Sequence, residues 1–327
     1  MTFRVKFSEQ GGSFRARFVA VQTASDGGYE RGYSDGYNEG NAEGYAEGYE
    51  EGLEAGTAEL LEPYINTAVT AIAENAYNGC SAFRSVEFPN AQTVGRASFI
   101  DCSNLTTANI PKVTIINAYA FQRCVKLKTA NFPLLTSIEY SAFNDCSSLT
   151  TVNIPSVKKL GNYAFYNCSS LMIVDFPSVT SVNSSEFFNC TKLTTVNLPL
   201  ATSLSVNMCR NCVELTSVNA TLAKSINSGA LFNCTKLTTA DFPSATGISD
   251  YAFYSCSNLT ALILRSETMC SLSGTNSLSY TPIAKHTGYV YVPKALVGAY
   301  KSATNWSTYA NQIRAIEDYP DITGGSQ

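Results

Sequence analysis

Eleven cysteines and one histidine carry most of the reactive chemistry open to this 327-residue chain. Close thiols bind metals, form disulfides or exchange electrons, and a lone imidazole allows one general base but no histidine-based metal cluster. The spacing points elsewhere. Cys80, Cys102, Cys124, Cys146, Cys168, Cys190, Cys212, Cys234 and Cys256 fall 22 residues apart without an insertion. Zinc knuckles need thiols paired in sequence, whereas this ladder supplies one per period, so no metal is expected. Cys209-Arg-Asn-Cys212 is formally a C-x-x-C pair. Cys212 belongs to the ladder, however, and Cys209 fills a column otherwise held by aromatic residues, so the pair reads as core rather than as a redox site. Cys270 lies fourteen residues after Cys256 and is assigned to the apolar column at that offset. All eleven thus read as small buried hydrophobes. Stacked about 4.8 Å apart and pointing inward side by side, they are expected to stay reduced, because a disulfide prefers a Cβ separation near 3.8 Å. His286 has no nucleophile arrangement around it, and no phosphate-binding loop or dinucleotide fingerprint occurs. No catalytic residue and no cofactor is expected.

The elements that hold these thiols repeat with them. Three residues before each ladder Cys stand Tyr77, Phe99, Phe121, Phe143, Phe165, Phe187, Cys209, Leu231 and Phe253. Three after it stand Phe83 and then Leu105 through Leu259 at the same period, and eight after it stand Phe88, Ile110, Phe132, Ile154, Phe176, Leu198, Ala220, Phe242 and Leu264. Pro follows that last column in seven of the nine periods. The unit reads A-F-x-x-C-x-x-L-x-x-V-x-[FI]-P-x-x-x-x-I-x-x-x. Its alternating middle is a half-buried strand stopped by Pro. An unbroken period means a solenoid, with neighbouring strands paired in parallel and no turn able to bury its apolar side alone. Nine turns predict a rod about 40 Å long.

On these residues the chain resembles the BspA-like class of leucine-rich repeats, whose A-F-x-x-C-x-x-L-x-x-[VI]-x-[IL]-P pattern is met by Ala142, Phe143, Cys146, Leu149, Val152, Ile154 and Pro155. The resemblance covers about residues 72–264. It departs from the commoner leucine-rich repeat in lacking an asparagine column past the strand. It implies a repeat solenoid with a parallel β-strand ladder, and a place among surface proteins of bacteria and some protozoa implicated in adhesion.

Composition agrees with a well-packed chain. Charged residues are 15%, against roughly 25% in ordinary globular chains, and hydrophobic residues are 45%. The net charge of −4 gives no reason to expect nucleic acid, and no apolar run approaches the roughly 18 residues of a membrane span, so no membrane insertion is expected. The first ten residues alternate charge and apolarity and do not read as a signal peptide. The expected location is a virion or cell exterior reached by another route.

Four parts are expected. Residues 1–25, where Phe3–Phe7 and Phe14–Val21 alternate about Gly11-Gly12, form a β-hairpin. Residues 26–71 form an acidic stalk and a capping helix over Leu60–Ile72. Residues 72–264 are the solenoid. Residues 265–327 form a C-terminal α/β cap with a strand at Gly288–Pro293, helical pieces over Lys294–Ile313, and Trp306 packed beneath; this part resembles the module often found behind such repeats in gut-bacterial and prophage-encoded proteins. The stalk carries Gly every four residues from Gly28 to Gly56, often followed by Tyr. As a helix it would present a small-residue ridge, similar to the G-x-x-x-G helices of flagellar export-regulator proteins, which pair. Gly32, Tyr33, Gly36, Tyr37, Gly44, Tyr45, Gly48 and Tyr49 are therefore the candidate oligomerisation residues, and a homo-oligomer through residues 26–62 is expected. The competing reading is a flexible acidic tether.

Two surfaces are candidates for ligand contact. The outward strand positions form a uniform polar ladder, including Thr107, Asn109, Thr129, Asn131, Thr151, Asn153, Thr195 and Asn197. The loops carry a set of aromatics that includes Tyr163, Tyr166, Tyr251 and Tyr254. A monotonous face suits a repetitive ligand such as a glycan. The expected function is non-catalytic adhesion or recognition of a cell-surface glycan or protein, as a phage or prophage tail-fibre-like attachment component. The alternatives are a bacterial cell-surface adhesin and, in another class, a hydrolase hidden in the C-terminal module.

The stalk generates a test. Eight Gly in place of Ala cost a helix roughly 6–8 kcal/mol, which an isolated helix cannot offset. The intact chain should be a dimer or trimer and residues 63–327 alone monomeric, as read by light scattering. An intact chain monomeric at tens of micromolar, with no helical signal lost on deleting residues 1–62, would make the segment only a tether.

Overall fold

A computed structural model describes residues 2–10, 13–21 and 63–323. The stalk positions Gly32, Tyr33, Gly36, Tyr37, Gly44, Tyr45, Gly48 and Tyr49 lie outside the described residues. Near the N-terminus, strands Thr2–Gln10 and Ser13–Val21 pair antiparallel.

A 22-residue unit forms one turn, with two strands in every turn from Ser85 to Ile248 but that of Ile173–Asp175, where isolated bridges at Ser181 and Ser184 replace the second. In one turn the two strands are Thr129–Asn131 and Ser137–Ile138. Ala130, Phe132 and Ile138 face inward and are fully or almost fully buried. Thr129–Asn131 pairs in parallel with Thr107–Asn109 and Thr151–Asn153, and Ser137–Ile138 with Ile115–Ile116 and Lys159–Leu160. Identical columns therefore stack. The rings of Phe99, Phe121, Phe143 and Phe165 lie 5.0–5.2 Å apart and within 4° of parallel. Burial of one such ring contributes about 1.5–3 kcal/mol, and only the neighbouring turn makes it possible.

The thiol column has a specific partner. Cys124 Sγ donates to the Phe99 carbonyl at 3.0 Å, and the same carbonyl accepts the Cys102 N–H at 3.2 Å. The pattern recurs at Cys146 with Phe121, Cys168 with Phe143, Cys190 with Phe165 and Cys212 with Phe187. A thiol fits because it is small, apolar and still a weak donor to a carbonyl lone pair inside the core.

Two left-handed residues per turn make the corners. One precedes each ladder Cys, as at Asp101, Arg123, Asp145, Asn167 and Asn189, with φ of 58–61°. The other lies four residues earlier and includes Ala97, Tyr119, Tyr163 and Tyr251, with φ of 50–61°. Asn, Asp and Gly take this conformation readily and bulky residues do not. Corner N–H groups are satisfied by the next turn: those of Ala97, Phe99 and Asp101 bond to the carbonyls of Ala118, Ala120 and Gln122.

The ladder runs to about eleven turns rather than nine. Residues 63–72 are not part of a helix. Tyr64–Ile65 and Ala71–Ile72 are strands paired with Val86–Glu87 and Thr93–Val94. Pro63, Ile65, Val69 and Ile72 suit strands better than helix. Asn66 stands where later turns carry Phe or Ile, and it closes the turn by accepting the Ala68 and Val69 N–H groups at 3.1 Å. At the other end, the parallel ladder continues past 264 through Tyr289–Val292 and Ile313–Ala315. A short helix, Val297–Ser302, follows the first of these. Trp306 is fully buried, with its indole N–H on the Cys270 carbonyl at 2.7 Å, and Tyr300 Oη accepts the Cys270 N–H at 2.7 Å. Leu272, not Cys270, occupies the Ile column, pairing with Ile248, because two extra residues precede it.

All eleven cysteines are free thiols. Burial pushes the Cys80 thiol up to about 11 and the Cys270 thiol up to about 12, and raises the deeply buried members of the ladder as well. Thiolate is then scarce at neutral pH. Alkylation at pH 8 should leave the native ladder unmodified, and alkylation in denaturant without reductant should label all eleven. Pairs that resist labelling in denaturant would show disulfides and refute the reduced ladder.

Candidate recognition face

The outward polar ladder lies on the three-residue strands. Asn131 donates to Asn109 at 3.0 Å and Asn153 to Asn131 at 2.7 Å; further along, Asn197 donates to Asp175 at 2.6 Å and Asn219 to Asn197 at 2.7 Å. Thr129 and Thr107 hydroxyls are 3.5 Å apart, and Thr151 is exposed while Thr195 is half-buried. The amides thus spend a donor and an acceptor on each other, which leaves less for a ligand. The ladder is also discontinuous. The sheet breaks between Thr151–Asn153 and Ile173–Asp175, where Ile173 stands 58% exposed, and again between Ser217–Asn219 and Thr239–Asp241. Asp241 is held by Arg265 at 2.7–3.1 Å.

The loop aromatics form a connected file along one corner. Tyr119 meets Tyr140 at 5.3 Å, Tyr140 meets Tyr163 at 5.5 Å, and Tyr163 meets Tyr166 at 5.7 Å, each edge to face. Tyr166 stacks on Phe188 at 4.9 Å and Phe232 on Tyr254 at 4.8 Å. Arg210 bridges the two stacks, 5.9 Å from the Phe188 ring and 3.9 Å from Phe232. Tyr254 continues to Tyr251 at 5.5 Å and to Tyr280 at 5.0 Å, and Arg96 covers Tyr119 at 5.2 Å. The file is half-buried to exposed, with Tyr140 and Tyr251 each 41% exposed and Tyr280 59%. Tyr119, Tyr163 and Tyr251 all sit in the left-handed conformation, which costs of order 1–3 kcal/mol for such residues. Three tyrosines are therefore kept where a smaller residue would fit: Ala97 fills the same column.

Beside this file runs a second amide row. Asn167 donates to Asp145 at 2.8 Å, Asn189 to Asn167 at 3.0 Å, Asn211 to Asn189 at 2.8 Å and Asn233 to Asn211 at 3.2 Å. An open groove of about 670 Å³ follows it, lined by Arg123, Val125, Asp145, Ser147, Asn167, Ser169, Asn189 and Thr191. Rings, amides and hydroxyls share one edge of the rod, which suits contact with a polyhydroxylated chain.

Of the sequence candidates, Tyr163, Tyr166, Tyr251 and Tyr254 are brought into one file, and Thr107, Asn109, Thr129, Asn131, Thr151 and Asn153 into one sheet separate from that of Thr195 and Asn197. Arg96, Tyr119, Arg210 and Tyr280 were not among them. Arg210 was detectable as a cation in a column otherwise Tyr or Phe from Tyr166 to Tyr254.

Groups suited to catalysis are isolated. His286 is exposed. Among the described residues, no three His, Cys, Asp or Glu are placed to hold a metal, and no helix is long and apolar enough to cross a membrane. Glu186 is fully buried in a column otherwise Ala, Met or, once, Ser98, accepting from the Asn183 N–H and the Ser205 hydroxyl. Cys209 is its one titratable neighbour of consequence, and desolvation raises the Glu186 pKa.

The family profile described as BspA type Leucine rich repeat region matches the chain in six copies, over residues 55–172, 114–223 and 202–286. No curated protein matches. Among solved structures, the chain is similar to a leucine rich repeat protein of T. pallidum, with 24% identity, 54% of this chain and 82% of that one covered, and a TM-score of 0.43. It is also similar to a leucine-rich repeat protein from Bacteroides ovatus, with 15% identity, 97% and 98% covered, and a TM-score of 0.44. A leucine rich cell surface protein from Faecalibacterium prausnitzii shows 17% identity, 89% and 98% covered, and a TM-score of 0.30.

Glu186 predicts a pH dependence. An acid whose native pKa is raised binds its proton more tightly folded than unfolded. Its effect is absent at pH below the ordinary glutamate value and destabilises the fold as pH rises from that value through the raised native one. Glu186→Gln can still accept from Asn183 and donate to Ser205. It should abolish this slope and add about 1–3 kcal/mol near pH 8 while changing little near pH 4, as read from urea unfolding at both pH values. An unchanged slope would place the titrating group elsewhere.

Proposed function

The chain belongs to the BspA-type leucine-rich repeat family, and we propose that it is a non-catalytic recognition protein whose aromatic corner binds a repetitive glycan on a cell surface. Proteins of this family commonly serve in surface adhesion and recognition and are usually non-enzymatic. The observation that carries the glycan reading is the file from Tyr119 to Tyr280, which repeats its chemistry turn by turn and leaves rings at the surface. A polymer whose units repeat at short intervals gains from such a surface, because weak contacts at successive turns add without further loss of translational freedom. The polar strand ladder is the weaker candidate, since its amides are mutually bonded and its run is broken at Ile173.

We further propose that the protein acts outside the cell, as an attachment component of a phage or prophage particle. The Gly-every-four sequence of residues 28–56, fit for oligomerisation, favours this over a bacterial surface adhesin. Tail and lysis genes beside its gene would support the virion reading, and a secretion operon would favour the adhesin.

The face is tested by substitution. Tyr163→Ala and Tyr251→Ala keep the corner backbone, as Ala97 shows for the same column, and each should weaken glycan-array or polysaccharide binding at least tenfold with stability lowered by about 1 kcal/mol. Thr151→Arg and Thr195→Arg should leave binding within twofold. The opposite pattern would move the site to the strand face, and binding that survives all four substitutions would eliminate both surfaces.

A further inference from the structure

Arg210 is a cation inside a row of rings. Its guanidinium centre lies 3.9 Å from the Phe232 ring, and its polar contact is a long one, Nη1 to Asn207 Oδ1 at 3.5 Å. Arg123 and Arg265 are each paired with a carboxylate, Asp101 and Asp241, whereas no carboxylate among the described residues pairs with Arg210. A guanidinium has five N–H donors at its rim, so most of this fork is unspent while its face is held by aromatic contact.

The corner above Arg210 is one of the turns at which the outer row lacks a ring, as it also does at Ser141, Ser185 and Asn207. Gly229 stands in the column that holds Tyr163 and Tyr251, at φ of 64°. A Cβ there would lie 2.3 Å from Asn207 Oδ1 and 3.8 Å from Arg210 Nη1. The missing side chain therefore leaves Asn207 its position beside the guanidinium, with Oδ1 taking the space a side chain at 229 would need. The acidic member of the adjacent amide row, Asp145, is three turns away from Asn211, and the carboxylate of Glu186 is buried on the Asn183 N–H and the Ser205 hydroxyl.

We infer that the rim of Arg210 is a subsite for a sugar carboxylate, so that the polymer bound by the aromatic file is an acidic polysaccharide. The inference rests on the glycan reading above and adds the charge of the ligand. A fork fixed by its face and free at its rim matches a carboxylate in two-point contact, and half-burial beside rings strengthens that contact relative to open water. Neutral hydroxyls would leave the charge without a partner.

The test uses the full chain with polygalacturonate and polysialate, each against its methyl-esterified form, which keeps the backbone and removes the charge. The wild-type protein should prefer at least one acidic polymer over its ester by tenfold or more at low salt, and the preference should shrink as salt rises. Arg210→Tyr restores the residue found at positions 166 and 254 and so preserves the stack. It should bring acid and ester within about twofold while leaving ester binding unchanged. Gly229→Ala should weaken the acid preference by crowding Asn207. Equal binding of acid and ester by the wild type, or a preference that survives Arg210→Tyr, overturns the subsite and leaves the glycan reading standing. Failure of the wild type to bind any of the four polymers overturns both. Tighter, Arg210-dependent binding of a single-stranded oligonucleotide would assign the Arg210 rim to nucleic acid and refute the sugar carboxylate.

Discussion

No turn of this rod can bury its own Phe, Cys and Leu; each is covered only when the next turn lies in register above it. The core is therefore a set of interfaces between like turns, and its stability is a sum of neighbour contacts. Stacking at strand spacing forces identical positions to meet, so a residue succeeds in a column when it tolerates its own copy. Phe does so by parallel offset stacking. Cys does so because its S–H reaches the carbonyl of the aromatic column one turn back instead of the neighbouring sulfur. Asn does so because an amide is both donor and acceptor and can continue a row indefinitely.

The same constraint shapes the surface. Corner residues repeat at the same spacing as the core, so whatever chemistry the corner carries is presented as rows. The tyrosines at left-handed positions occupy a column where Gly or Asn, as at Gly229 and Asn207, adopts the conformation more readily. Deviations from the repeat are concentrated between Ile173 and Gly229. That stretch lies between the two breaks in the long-strand sheet and holds the buried Glu186, Cys209 in place of Phe, and Arg210 in the aromatic row. In a one-dimensional array such turns have the weakest neighbour interfaces, and they are also the ones that can differ in function without disturbing distant turns.

The middle of the fold was legible because its columns are almost invariant: the Cys, aromatic, Leu and Ile columns are buried as their spacing implies, whereas the second short strand of the turn and the buried column of Val113, Leu135 and Val157 were not read from it. The ends were less so for physical reasons. The first turn has Asn66 at an apolar column and no ladder Cys, yet Tyr64 and Ile72 still satisfy the strands. Past Leu264 the connections lengthen, so parallel pairing persists after the spacing has lost its period, and Cys270 slips two residues out of its assigned column. At the site, sequence named the tyrosines as loop residues but could not order them into a file. Ring-to-ring contact depends on which side of the corner each points to, and here residues from three different offsets, such as Tyr140, Tyr163 and Tyr166, meet one another.

Arg210 shows how a departure from a column differs from a defect in it. Glu186 departs inward, where a charge loses hydration and finds only an N–H and a hydroxyl, so the departure weakens the turn. Arg210 departs at the surface, where Phe232 supports the guanidinium face and water reaches its rim. The aliphatic stem and the flat cation replace a ring with little loss of packing, and the row gains a charge at one turn only. A repetitive rod gives every turn nearly equal affinity for a repetitive polymer and therefore no fixed register on it. On the proposed reading a single cation among rings would break that degeneracy: the polymer would bind best with an acidic unit at that turn, and the rest of the file would then read its neighbours in sequence.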